Sequence, residues 1–293
     1  MHPTLLSLGP FDFHAYTVTL AIAFLVGVLG AVRENYKREN PFPVTPAGGV
    51  WIFFGALIGA KIYWAVQYGP TWVDDEGNGF DWYRVFFIWE GGMVYYGGLI
   101  GGFLGGVAYV KYMRVPILPM GDIGMPFLPL GHSIARLGCY LNGCCWGQVT
   151  GGPTGVVFPR RSLAYKQQLT DGLISRGADA PLPVHPTQLY EAFGLFAIFL
   201  IMRYAYKHKK FDGSVMLLYP LLYGILRFSV EAFRGDSARP LFGMTASQMI
   251  GLGLFLGAAL LYVILFQTRW RGPGPVIYAT PAPEGTVNTE NTN

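Results

Sequence analysis

Charge is scarce in this chain. Only 13% of its 293 residues are Asp, Glu, Lys or Arg, whereas 52% are apolar and 16% aromatic. A water-soluble domain carries about twice that charged share, so a soluble globular class is excluded. Forty glycines are present, yet none forms a Walker-type or dinucleotide-type phosphate loop. Aromatic and basic residues do not interleave as on an RNA platform, and the net charge of +4 reflects anchoring residues between apolar spans; nucleic acid is not an expected partner. No basic segment precedes the first apolar span, where Asp12 and His14 stand, so it reads as a retained helix and not a cleaved signal peptide. No internal repeat of the transporter kind is apparent.

Long apolar stretches are plentiful. Phe13 to Val32, Asn40 to Ala60, Gly91 to Val110 and Pro240 to Thr268 are each near or above the roughly 20 residues that cross a bilayer. Weaker spans lie near Ile117 to Leu141, interrupted by Asp122 and Arg136, Thr187 to Met202 and Gly213 to Val230. The expected fold is therefore an all-α polytopic membrane protein of seven crossings. Orientation follows from Lys and Arg between the spans: eleven fall on one side and seven on the other, four of the seven in a single long connection. The short-loop bias puts the first set in the cytoplasm, the N-terminus outside and the C-terminus inside.

One domain, residues 1–271, is expected, with two appendages. Residues 142–184, between the fourth and fifth helices, are too polar for lipid and form a small extracytoplasmic head, in which VVFPRR reads as a short strand and LAYKQQLTDGLISRG as a short helix. Residues 272–293 read as a disordered cytoplasmic tail. Between the second and third spans, Trp72, Trp82, Tyr83 and Trp89 suit an interfacial aromatic belt.

The few charges inside apolar spans single out candidate function, because charge in lipid is retained chiefly where it faces a partner, a cavity or a substrate. In YPLLYGILRFSVEAFRGD, Arg227, Glu231 and Arg234 recur at i, i+4 and i+7, with Tyr223 one turn earlier. The rival reading is a helix end whose charges pair with one another. In PLGHSIARLGCYLNGCCWG, His132, Arg136 and Cys139 share a face, with Asn142 close to it. A guanidinium at that depth suits a bidentate grip on phosphate, or a salt bridge to Asp122 or Glu191. In HPTQLYEA, Pro186 takes a first-turn position, His185 and Gln188 suit capping, and Glu191 demands a cation such as Arg136 or Arg227. In EGGMVYYGGLIGGFLGG, glycines four residues apart suit close helix packing, while Glu90 to Gly98 allows a re-entrant turn with Tyr96 aimed inward. Cys139, Cys144 and Cys145 lack a fourth ligand at zinc-like spacing, so neither a metal nor a cofactor is expected; a disulfide with one thiol left over, or small apolar packing, stays open.

Together, WEGGMVYYGGLIGG, ARLGCYLNGCCWG, HPTQLYEA and YGILRFSVEAFRGD resemble segments of the bacterial prolipoprotein diacylglyceryl transferase family, from about Tyr16 to Val263. The resemblance implies a seven-helix inner-membrane enzyme. Its partners would be phosphatidylglycerol, whose diacylglyceryl group moves, and a preprolipoprotein, whose lipobox cysteine accepts it. By resemblance Arg136 and Arg227 match arginines that hold the lipid head group, Glu231, Arg234 and Tyr223 match the rest of that motif, and Gly147 closes the family signature. The family's His-Gly-Gly is Tyr96-Gly97-Gly98 here, and its Asn and Glu are Cys139 and Cys144. Tyrosine is a poor base near neutral pH, which leaves Tyr96 and His132 as alternative catalytic bases. A specialised paralogue using another phospholipid or acceptor, and an anion-binding or transport protein without bond making, are the competing functions.

Overall fold

The computed structural model describes residues 4–8, 11–37, 44–69, 93–160, 162–234 and 243–269. Two short strands, β1 (Thr4–Leu8) and β2 (Phe11–His14), pair antiparallel ahead of α1 (Ala15–Lys37). The first span consequently begins at Ala15 and not at Phe13, because Phe11 to His14 are drawn into the hairpin. The chain continues through α2 (Pro46–Tyr68), α3 (Tyr95–Tyr112), α4 (Ile117–Gly124), α5 (Phe127–Asn142), α6 (Leu163–Thr170), α7 (Thr187–Lys207), α8 (Ser214–Glu231) and α9 (Ala246–Arg269). Among the described residues, five helices are long and apolar enough to cross a membrane: α1, α2, α7, α8 and most of α9. Their outer faces expose Leu29, Phe54, Phe193 and Leu260, as helices in contact with lipid tails would. The protein is a multi-pass helical membrane protein, with one small hairpin among the described residues.

The expected fourth span is two helices. Met125 and Pro126 separate α4 from α5, and Pro126 has no N–H with which to continue the ladder. The eight-residue α4 then places Asp122, wholly buried, against the start of α8. Its Oδ1 accepts from the backbone N–H of Val215 at 3.0 Å and Met216 at 2.9 Å, and Oδ2 from Gly213 at 2.9 Å and Lys209 Nζ at 3.4 Å. A carboxylate from a distant helix thus caps α8, where orphan amides and the positive dipole end await one.

Glycine spacing fixes the α2–α3 pair. A Cβ on Gly97, Gly101 or Gly105 would strike the backbone of α2 at Gly59, Gly55 or Trp51, so the two backbones meet along one smooth ridge. Gly98, Gly102 and Gly106 face α2 more loosely. Elsewhere α5 packs between α1 and α7, α8 on α7, and α9 on α8. The main core gathers Ile123, Phe127, Ile198, Met202 and Val215 near the α4 end of this bundle.

Between α5 and α7 the chain builds a small separate unit. Phe158, Ala164 and Val184 pack with Trp146, and Gln168 both donates to the Leu182 carbonyl and accepts from its N–H. The expected helix runs over Leu163–Thr170, with Ser162 as its cap. The expected VVFPRR strand reduces to a single bridge from Val156 to Val184. Glu90, the aromatic residues Trp72, Trp82, Tyr83 and Trp89, and the 272–293 tail lie outside the described residues.

Candidate functional site

At the end of the bundle opposite Asp122, four side chains converge on one carboxylate. Glu191, in the second turn of α7 and 1% exposed, meets Arg136 from α5 and Arg227 from α8. Arg136 Nη2 lies 2.9 Å from Oε1, and Arg227 Nη1 lies 3.3 Å from Oε2. Tyr223 donates its hydroxyl to Oε1 at 3.2 Å, and His132 Nε2 stands 3.9 Å from the same oxygen. Of the two partners the sequence allowed for Arg136, it takes Glu191; Asp122 is committed elsewhere.

A second buried carboxylate flanks the first. Glu231, the last residue of α8 and also 1% exposed, sits 2.7 Å from Arg227 Nη2 and 3.9 Å from Arg234 Nε. Arg234 is not on the helix with Arg227. It follows the end of α8 and bridges to Gly147, whose N–H donates to the His185 carbonyl at 2.9 Å. A Cβ at Gly147 would collide with the Phe233 carbonyl and with His185, so this close crossing of strands requires glycine. Charge pairing within the α8 motif is therefore real, and coexists with the cross-helix contacts to Glu191.

The mouth of α7 works differently from a conventional cap. Pro186 occupies the N-cap position itself, one residue before the helix, and no side chain caps it. His185 turns to the Tyr190 hydroxyl at 3.2 Å, while Gln188 Nε2 donates to the Cys144 carbonyl at 2.6 Å. Thr187 donates to the Cys145 carbonyl at 2.8 Å. These bonds tie the α5–α6 connection to the first turn of α7, one turn before Glu191. Asn142 ends α5, and Gly143, at φ +71°, stops the helix with the left-handed residue such ends favour.

Three groups that spacing alone did not single out join the cluster. Tyr219 meets His132 Nδ1 at 3.3 Å and stacks on Tyr223 with ring centroids 5.4 Å apart. It lies one turn before Tyr223, so the same stripe carried the signal. Ser247 of α9 accepts from Arg227 Nη2 at 3.0 Å, and Ser133 of α5 donates to the Ala192 carbonyl at 2.8 Å. Neither serine had a sequence signature. Tyr96 is 41% exposed on the first turn of α3, and Gly98 lies beside Ala56 and Ala60 of α2.

The site is polar and incompletely satisfied. Among the described residues, Arg136 Nε, Gln188 Oε1 and Glu231 Oε1 are buried with no hydrogen-bond partner. Such atoms are costly to leave bare and mark a place where a ligand or water completes the network. Two guanidinium groups with spare donors, held in apolar surroundings, suit an anion with several acceptor oxygens. Close by, the Sγ atoms of Cys139, Cys144 and Cys145 all lie within 4.8 Å of one another.

The family model for Prolipoprotein diacylglyceryl transferase matches residues 3–264. A phosphatidylglycerol–prolipoprotein diacylglyceryl transferase of Francisella tularensis subsp. novicida is 28% identical over 280 residues, covering 92% of this chain and 95% of the relative. One of Caulobacter vibrioides is 28% identical over 276 residues, 87% of this chain and 88% of its own. One of Treponema denticola is 32% identical over 216 residues, 64% and 62% of the two chains. The chain belongs to the prolipoprotein diacylglyceryl transferase family.

Proposed function

We propose that this protein transfers the diacylglyceryl group of phosphatidylglycerol to the lipobox cysteine of preprolipoproteins, releasing glycerol phosphate. The observation that carries the reading is the convergence of Arg136 and Arg227, from separate helices, on buried Glu191. In the reaction the acceptor sulfur attacks a glycerol carbon, the carbon–oxygen bond to phosphate breaks, and negative charge grows on the departing phosphate monoester. Fixed guanidinium groups in a water-poor site stabilise that charge without reorganising. Glu191 and Glu231 hold the arginines in place before lipid arrives, and Tyr223 and Arg234 stand beside those carboxylates. Asn142, Gly147, His185 and Gln188 position the loop that follows α5, and Gly98 packs α3 against α2. His132 is the group beside the arginines with an intrinsic pKa suited to take the acceptor proton; Tyr96, on α3, is the other residue of the proposed site able to do so.

The same reading places the protein in the bacterial inner membrane with seven crossings, α3 and the α4–α5 pair adding to the five apolar helices. Residues 1–271 form the membrane domain and 272–293 the cytoplasmic tail. The N-terminus and the 142–184 head face outward, as the distribution of Lys and Arg favours. Incubation with phosphatidylglycerol vesicles and a lipobox peptide tests the function. Mass gain of one diacylglyceryl group on the peptide cysteine, lost in Arg136→Ala, is expected. Unmodified peptide beside retained lipid binding would overturn it.

A further inference from the structure

The three cysteines form a constellation that the phosphate-gripping machinery does not use. Cys139 is buried in the last turn of α5, one turn after Arg136, and Cys144 and Cys145 follow the Gly143 stop. All three are free thiols. Successive residues of an extended chain point to opposite sides, so neighbours such as Cys144 and Cys145 do not ordinarily share a target. Here Cys145 adopts φ +62°, a left-handed conformation rare outside glycine, and its sulfur turns to the side of the other two. Metal–sulfur bonds of about 2.3 Å set three thiolates about 4 Å apart around one ion. Separations within 4.8 Å need only a small contraction to reach that geometry.

We propose that Cys139, Cys144 and Cys145 bind a thiophilic d10 ion, zinc in the first instance, through three thiolates, and that the fourth coordination position receives the acceptor cysteine thiol. The proposal deepens the transferase reading and rests on it. Three sulfurs select a soft ion over magnesium or calcium. Zinc is four-coordinate, and sites that keep three protein ligands leave a position for a reacting group; among the described residues no further His, Cys, Asp or Glu joins this group. A thiol entering that position is deprotonated outright, and the thiolate is the nucleophile the transfer needs. Three protein thiolates around a divalent ion leave one net negative charge, which keeps the bound acceptor sulfur reactive.

The chemistry balances without an oxidant or reductant. The acceptor S–H loses its proton to His132 as the sulfur binds the ion, the new S–C bond forms to the glycerol carbon, and the C–O bond to phosphate breaks. The electron pair of that bond leaves on the phosphate oxygen, beside Arg136 and Arg227, and the departing monoester takes up the proton. The product thioether is neutral, a poorer ligand than a thiolate, and is released. Position favours the coupling: the carbonyls of Cys144 and Cys145 are hydrogen-bonded by Gln188 and Thr187, on the first turn of the helix that carries Glu191.

The test uses the full-length protein in detergent under reducing conditions, with cobalt(II) as the optical probe and zinc measured by elemental analysis. One zinc per chain is expected. Cobalt substitution should give a sulfur-to-metal charge-transfer band, which Cys139→Ser, Cys144→Ser and Cys145→Ser each remove. The ligand-field bands of the wild-type cobalt form should shift on adding a lipobox peptide, and stay unchanged with the Cys→Ser peptide. Absence of stoichiometric metal and of the thiolate band in the reduced wild-type protein would overturn the proposal, as would a disulfide that excludes metal. Full transfer by metal-stripped protein would overturn it too while leaving the transferase function standing. A peptide-sensitive cobalt spectrum without transfer would instead sink the transferase reading and keep the metal site.

Discussion

Two carboxylates lie buried at opposite ends of the same bundle, and they are handled in opposite ways. Asp122 is saturated: three backbone amides of α8 and Lys209 use both of its oxygens. Its effect is to dock α4 on α8 and to cap a helix that has no side-chain cap of its own, and beside it one buried hydroxyl, Ser214 Oγ, has no hydrogen-bond partner. Glu191 collects side chains alone, from α5 and α8, and its surroundings keep unpartnered atoms on Arg136, Gln188 and Glu231. Burial of charge alone does not identify a site. What separates the two ends is whether the polar groups are already spent on the fold.

Substitutions can break that contrast. The largest effect is expected from Arg136→Ala, which should lower the transfer rate by about 10²–10³-fold, the loss typical of removing one preorganised donor to developing negative charge. A steady-state assay of glycerol phosphate release measures it. Asp122→Ala should instead leave three buried amides unpaired and cost about 3 kcal/mol of stability, seen as a lower melting temperature in detergent, with the rate per folded molecule retained. A similar rate loss in Asp122→Ala would erase the distinction between the two ends. His132→Phe should slow transfer by about 10²-fold if it takes the acceptor proton, with Tyr96→Phe much closer to wild type. Equal and full rates in both variants would remove both as the base. Ser247→Ala, which takes away one hydrogen bond from Arg227, should cost about 1 kcal/mol in lipid affinity, read as a rise in KM of several fold.

Much of the site was legible because lipid makes charge conspicuous. Arg136, Glu191, Arg227 and Glu231 stand out in apolar helices, and the demand of Glu191 for a cation named Arg136 and Arg227, both of which it meets. Spacing also misled. Arg227, Glu231 and Arg234 read as one helical stripe, yet the helix stops at Glu231, and Arg234 is placed by the bridge to Gly147 across the loop. The role of Asp122 was hidden for a physical reason: its partners are main-chain amides some ninety residues away, and every residue has one. The break at Pro126 was masked by the apolar residues on either side of it, which keep hydropathy high through the interruption. The cysteine cluster depended on the left-handed turn at Cys145, which residue identity did not announce.

The central claim is that Arg136 and Arg227 grip one phosphate as a unit. A double-mutant cycle on the initial rate of diacylglyceryl transfer, using Arg136→Ala, Arg227→Ala and the pair, tests it most directly. Groups acting as a unit are strongly non-additive, so the double variant should be little slower than the slower single variant. Losses that multiply would show two independent arginines and contradict the shared phosphate site.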